Sequence, residues 1–208
     1  MRRKGLVLLV IVLAALAVWR FYPRGGGAAE CPSFLPEVNR MVGLRFDPSY
    51  FYDRGVTARE LARELVPAWK SAGINTVFFR VYDPQYGASY RTSLAYNQET
   101  DYGRQDLLGH LLDEAHARGM KVIAWLPMLN HRGLWEAKPE WRALRAGGEP
   151  YRAESMAFPL CARHPGARQW WLKFVEDLLD RYGALDGIDC AEPCVSWRED
   201  EACHCSLC

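Results

Sequence analysis

The chain closes on a Cys-x-Cys-x-x-Cys pattern made by Cys203, Cys205 and Cys208. At that spacing three thiolates can reach one tetrahedral ion, and Cys194 is the nearest candidate for a fourth ligand, which is the donor set of a structural zinc site. Disulfides are the alternative in an oxidising compartment. A Cys203–Cys205 bridge would close a strained ring, and the seven cysteines of the chain cannot all pair. No Cys-x-x-Cys-His run occurs, so covalent haem attachment is excluded.

Two carboxyl groups, Asp189 and Glu192, stand just ahead of these thiols. A carboxyl group partly desolvated by an aromatic wall such as Trp125 or Trp197 has its charged form disfavoured and can hold a proton near neutral pH, as a general acid must. Alternation along a regular strand sends Asp189 and Glu192 to opposite sides. A strand broken at Pro193 ends with Glu192 at its rim, so Glu192 is the expected proton donor and Asp189 the second candidate. Arg80 lies in a strand otherwise built of Val, Phe and Tyr, where a charge needs a partner: a bound hydroxyl, an acid, or a structural ion pair.

These residues depend on a unit that occurs three times: an amphipathic helix, a glycine, a short apolar strand. The first begins at a Thr57-x-x-Glu60 capping box, with Val56 and Leu61 placed for a hydrophobic staple. Leu61, Leu65, Trp69 and Ala72 follow at helical spacing, Gly73 caps the end, and Asn75 to Tyr82 reads as a buried strand. Pro67 should kink this helix or restart it. The second unit places Leu107, Leu108, Leu111, Leu112 and Ala115 on one stripe, stops at Gly119 and feeds MKVIAWLPML. The third starts near Pro165, turns Trp171, Phe174, Val175, Leu178 and Tyr182 inward, stops at Gly183 and feeds ALDGIDCAE. MVGLRFDP supplies a first strand ahead of all three.

Apolar strands alternating with helices imply a parallel sheet with helical crossovers. No Gly-rich phosphate loop follows the first strand, which argues against a nucleotide-binding open sheet. Asp47, Arg80, Asp83, Asn130, His131, Asp189 and Glu192 all collect after strands, where a (β/α)8 TIM barrel builds its site. The expected fold class is therefore α/β of that barrel type. A complete barrel takes about 250 residues. Four strands in this chain lead to the expectation of a first half, truncated after the fourth strand.

Half of the 208 residues are hydrophobic, enough for one packed core. The formal net charge of +1 offers no basic stripe for nucleic acid. The N-terminus has three basic residues followed by fifteen uncharged ones, Gly5 to Trp19. Residues 1–24 therefore read as a signal peptide or an uncleaved membrane anchor, residues 25–40 as a linker, and residues 41–208 as the domain working outside the cytoplasm.

The phrases NTVFFRVYDPQYGASYRTSL, LLDEAHARGMKVIAWLPM, PEWRAL and RYGALDGID together resemble the glycosyl-hydrolase-like family 10 proteins, exported barrels described as glycosidases. PLCARHPGARQWWLKFVEDLLDRYG with AEPC and CHCSLC is similar to the family 42 β-galactosidases of glycosidase clan A, in which a cysteine before the third helix joins a Cys-x-Cys-x-x-Cys on zinc. That resemblance implies Cys161 as the fourth ligand beside Cys203, Cys205 and Cys208. It also implies that Glu192 is the acid/base glutamate, although Ala191 stands where clan A has an asparagine. DGID echoes the start of a chitinase motif whose acid would fall at position 193, here proline. A carbohydrate substrate follows from the resemblance, with Asp47, Arg80, Tyr82, Trp125, Asn130, His131 and Trp197 as candidate contacts. Tyr86 and Trp135 could add to a stacking platform, and core packing is the plainer role for each aromatic. A non-catalytic carbohydrate-binding barrel at the cell envelope is the second reading.

Overall fold

The computed structural model of the chain describes residues 41–151, 158–191 and 203–208. The expected signal and linker lie outside these residues, as do Glu192, Cys194 and Trp197. Residues Met41–Cys208 form one compact unit. Among the described residues no helix is long and apolar enough to cross a membrane.

Four parallel strands make the main sheet: β1 (Gly43–Phe46), β2 (Thr76–Arg80), β5 (Lys121–Pro127) and β6 (Gly187–Ala191), adjacent in that order. A short antiparallel pair, β3 (Tyr82–Asp83) and β4 (Gly87–Ala88), follows β2. The helices are α1 (Ala58–Ser71), α2 (Asp101–Arg104), α3 (Leu107–His116), α4 (Arg132–Ala137) and α5 (Pro165–Arg181). Strands that pair in sequence order, with no reversal, distinguish this sheet from a doubly wound one. Right-handed crossovers then put every connecting helix on the same face.

The capping box forms as its spacing predicts. Thr57 Oγ1 accepts from the Glu60 N–H, and the Glu60 carboxylate accepts from the Thr57 N–H at 2.8 Å. Helix α1 runs unbroken through Pro67, so the expected restart does not occur. The carbonyl left without its i+4 donor belongs to exposed Arg63, where water can serve it. Gly73 and Gly119 adopt the left-handed conformation predicted for them, with φ of 82° and 64°. Gly183 does not: α5 ends instead at Tyr182, whose N–H returns to the Leu178 carbonyl.

The helix-covered face of the sheet carries the core. Phe46 meets Trp69 edge-on at 5.0 Å, and Val77, Phe79, Val122, Ala124 and Leu126 are fully buried. Leu107, Leu108, Leu111 and Ala115 seal it from α3, and Trp171, Phe174 and Leu178 from α5. On α1 the buried residues are Ala58, Leu61, Ala62 and Val66, so the buried stripe is rotated from the predicted one and Ala72 faces solvent.

At the N-terminal end of the sheet the strands are tied by side chains. Asn75 Oδ1 accepts from the Val42 N–H at 2.9 Å, and Asp186 Oδ2 accepts from the Val122 N–H at 2.8 Å and pairs with His116 at 3.0 Å. Burial pushes the Asp186 carboxyl up, but the Val122 N–H and His116 together hold it below the ordinary carboxylate value.

His131 joins the core beyond the C-terminal end of the sheet. It is 1% exposed, stacked on Tyr82 with ring centroids 4.5 Å apart, and edge-on to Trp170 at 4.5 Å. Its Nδ1 accepts from the Leu134 N–H and caps α4, which assigns the ring proton to Nε2. Burial depresses this imidazole from 6.5 to about 3.

Two stability measurements check these assignments. Thr57→Ala should cost about 1 kcal/mol and lower Tm by about 2–4 °C in thermal denaturation, with Thr57→Ser close to wild type. For His131 the folded value lies below the unfolded one, so its contribution is complete above pH 6.5 and declines as pH falls toward 3. The decline attributable to this group is at most about 1.4 kcal/mol per pH unit. Urea unfolding of His131→Asn, which keeps an N-cap acceptor but does not titrate, should show lower stability at pH 7 and a shallower loss between pH 6.5 and 4. Parallel pH profiles would remove His131 as the source.

Candidate active site

In-register pairing sets Arg80, Trp125 and Asp189 side by side across β2, β5 and β6, and therefore on one face. One row below, Arg45, Phe78, Ile123 and Gly187 are aligned in the same way. This is the face opposite the helices, the one a barrel turns inward.

Arg80 organises the upper row. Its Nη1 donates to Asp47 Oδ2 at 2.5 Å and lies 2.9 Å from Asp83 Oδ2. The guanidinium side chain is 19% exposed and both carboxylates 11%, so the three groups are largely withdrawn from water and compensate one another. The Arg80 guanidinium is 5.3 Å from the Trp125 ring centroid, and that of Arg45 is 4.7 Å from it. Arg45 also reaches Asp189 at 3.6 Å. Two buried donors, Arg80 Nε and Trp125 Nε1, have no hydrogen-bond partner among the described residues. A cavity of about 470 Å³ opens here, lined in part by Asp47, Tyr50, Arg80 and Trp125. It offers apolar ring surface, a paired cation and unused N–H donors, a combination suited to a polyhydroxylated ligand.

The remaining predicted contacts lie apart from this row. Tyr82, 2% exposed, packs with His131 against Trp171 and Phe174 of α5. Asn130 spends its carbonyl oxygen on the Phe158 N–H at 2.6 Å, which closes the bridge between Asn130 and Pro159. Trp135 is covered by the Arg142 guanidinium, 3.9 Å from its ring centroid. Of the nine catalytic and binding candidates, the structure brings together Asp47, Arg80, Trp125 and Asp189. Tyr82 and His131 wall the adjoining loops, Asn130 shapes one, and Glu192 and Trp197 lie outside the described residues. Sequence reasoning missed Arg45 and Tyr50. Arg45 could have been found from its place two residues before Asp47, on the same face of β1.

The four sulfurs of Cys161, Cys203, Cys205 and Cys208 all lie within 4.8 Å of one another. Cys161 Sγ is 3.4 Å from that of Cys205 and 3.5 Å from that of Cys208. A disulfide needs about 2.05 Å, so these cysteines are free thiols. Zn–S bonds of about 2.3 Å in a tetrahedron put the sulfurs roughly 3.8 Å apart, and the observed spacing fits. Backbone hydrogen bonds hold the donors in place: Cys161 N–H to the Trp141 carbonyl at 2.7 Å, Cys208 N–H to Cys205, and His204 N–H to Leu144 at 2.8 Å. Burial pushes the Cys161 thiol up, whereas the hydrogen bonds at Cys205 outweigh its burial and bring it to about 7.

The family described as hypothetical glycosyl hydrolase 6 matches residues 61–191, which span α1 to the end of β6. No curated protein sequence matches the chain. Among solved structures it resembles the α-L-fucosidase isoenzyme 2 from Paenibacillus thiaminolyticus, with a TM-score of 0.56 and 17% identity over 78% of this chain and 24% of that one. A hypothetical protein from Ruminiclostridium thermocellum gives 0.51 and 15% over 66% of this chain and 74% of the other. A β-galactosidase from the haloarchaeon Halorubrum lacusprofundi gives 0.50 and 17% over 71% and 20%. At these identities the likeness shows the fold alone, α/β of (β/α)8 TIM-barrel type, and the chain spans 24% of the fucosidase's length. The matched family bears a different number from the families 10 and 42 that the sequence phrases resemble; common to all three is a glycosyl-hydrolase-type description. With more than half of its residues matched, this chain belongs to the hypothetical glycosyl hydrolase 6 family.

Proposed function

We propose that the chain carries part of the carbohydrate site of a glycoside hydrolase exported from the cytoplasm, with Glu192, the residue that follows β6 in the sequence, as proton donor. The observation that supports this reading is the Asp47–Arg80–Asp83 cluster beside Trp125 and Asp189, at the strand ends where barrel enzymes work. Glycoside cleavage usually requires two carboxyl groups flanking the scissile bond, one protonated to release the leaving oxygen and one to attack or to activate water. Trp125 supplies an apolar wall that disfavours the charged form of a carboxyl group placed against it, and Arg45 and Arg80 beside the ring act in the opposite sense. Arg80 is fixed by its two carboxylates, and its buried Nε–H has no partner among the described residues. Asp189 faces the same row and is the second candidate for the acid.

Zinc belongs to the same reading. Cys161, Cys203, Cys205 and Cys208 would hold it in a closed site of four thiolates, which has no position for water and contributes stability rather than chemistry. Its place in the chain ties residues 203–208 to the loop between α4 and α5, and so anchors the far end of the segment that contains Glu192.

Turnover of aryl glycosides by the full-length protein tests the acid. Glu192→Gln should lower kcat by about 10²–10⁴-fold with substrate binding retained. Unchanged turnover would remove Glu192 from the mechanism, and loss in Asp189→Asn alone would transfer the role to Asp189. Glycan binding without any cleavage by the wild type would favour the non-catalytic reading. For the metal, the purified protein should contain about one zinc per chain, and cobalt substitution should give thiolate charge-transfer bands. Cys208→Ser should lose both the metal and several degrees of Tm. Metal-free protein of unaltered Tm would refute the zinc assignment.

A further inference from the structure

A second cavity, of about 340 Å³, lies on the loops that follow β2 and β5, away from the Arg80 row. Its walls come from Tyr82, Gln85, Tyr86, Tyr96, His131 and Arg132. Three features separate it from an ordinary surface hollow.

The first is rigidity. Asp83 Oδ1 accepts from the N–H groups of Gln85 and Tyr86 at 2.8 and 3.0 Å, while its other oxygen faces Arg80. Gly87, at φ 107°, lies so close to the Gln98 carbonyl that no side chain fits there. The wall bearing Tyr86 is therefore held from both ends.

The second is aromatic display. Tyr86 and Tyr96 are 51% and 47% exposed, whereas Tyr82, Tyr90 and His131 beside them are buried. Tyr96 adopts φ of 68°, a left-handed conformation that is unfavourable for a bulky residue and that tends to mark functional positions when the surroundings enforce it.

The third is unpartnered polarity among the lining residues. His131 Nε2 and Gln85 Oε1 are buried with no hydrogen-bond partner among the described residues, and His131 is only 1% exposed. The ring assignment makes Nε2 a donor, and Gln85 Oε1 is an acceptor. A hydroxyl group can accept from the one or donate to the other, and the exposed tyrosine rings suit the C–H surface of a pyranose. The volume falls in the usual range of small-molecule sites, about 300–1,000 Å³.

We infer that this cavity is a pyranose-binding subsite, distinct from the Arg80 row and mechanically linked to it through Asp83. The inference rests on the reading of the chain as a glycan-acting barrel, and it identifies where a further ring of the same glycan is held.

Calorimetric titration of the full chain with methyl glycosides of glucose, galactose, fucose and N-acetylglucosamine, and with their tetrasaccharides, tests it. At least one tetrasaccharide should bind saturably, and Tyr86→Ala with Tyr96→Ala should weaken it about tenfold, as expected for loss of stacking surface. Both tyrosines are exposed, so the variant should fold. Tyr96→Gly provides a second check, because it relieves the backbone and should raise Tm while still weakening binding. Binding lost in Trp125→Ala but unaltered in the tyrosine variants would overturn this inference and leave the glycan reading intact. Failure of the wild type to bind any of these sugars would overturn both.

Discussion

A guanidinium on the inward row of a parallel sheet has to be neutralised, and the way Arg80 meets that requirement shapes the whole C-terminal end of this molecule. Two acids converge on it from different segments, Asp47 just after β1 and Asp83 at the end of β3. Each also fixes local backbone. Asp47 Oδ1 accepts from the Ser49 N–H and caps the 3-10 helix Pro48–Arg54, and Asp83 holds the turn at Gln85 and Tyr86. One ion-pair cluster thus fixes two stretches of backbone, and removal of either acid would leave Arg80 paired with the other while releasing the turn that the lost carboxylate holds. Trp125 lies beside two arginines, and the cluster holds one of them, Arg80.

The face so arranged is chemically mixed, with aromatic surface, paired charge and unused donors, whereas the helix-covered face is almost wholly apolar. That asymmetry fits a barrel enzyme, in which strands provide a rigid frame and their C-terminal ends provide chemistry. The match to the hypothetical glycosyl hydrolase 6 family likewise runs through three of the four strands, β2, β5 and β6, rather than through one motif. The fold is shared with solved structures at 17% identity or less, so packing pattern, not particular residues, is what these proteins have in common.

Features decided by a few neighbouring residues were legible in the sequence. The Thr57 capping box, the left-handed Gly73 and Gly119 and the four apolar strands all depend on local spacing, and they appear where expected. Gly183 was misread because Tyr182 closes α5 by its own N–H bond to Leu178, which leaves the following glycine no capping task. The site was less legible because its partners are distant in the chain. Arg80 finds Asp47 across 33 residues, and Cys161 meets Cys205 across 44. Of these pairings, that of Cys161 was reached only through resemblance to another family. His131 and Tyr82 are expected from the sequence as ligand contacts; their packing against Trp170, Trp171 and Phe174 was not legible, because these rings come from a helix that no local pattern places against them.

The Asn75 and Asp186 ties at the opposite end of the sheet have a broader implication. Both act on main-chain N–H groups at strand beginnings, and neither belongs to the Arg80 cluster. Cohesion at this pole is therefore independent of the candidate site at the other end of the same strands. Loops at the candidate-site pole can vary in sequence while the opposite pole keeps the strands in register.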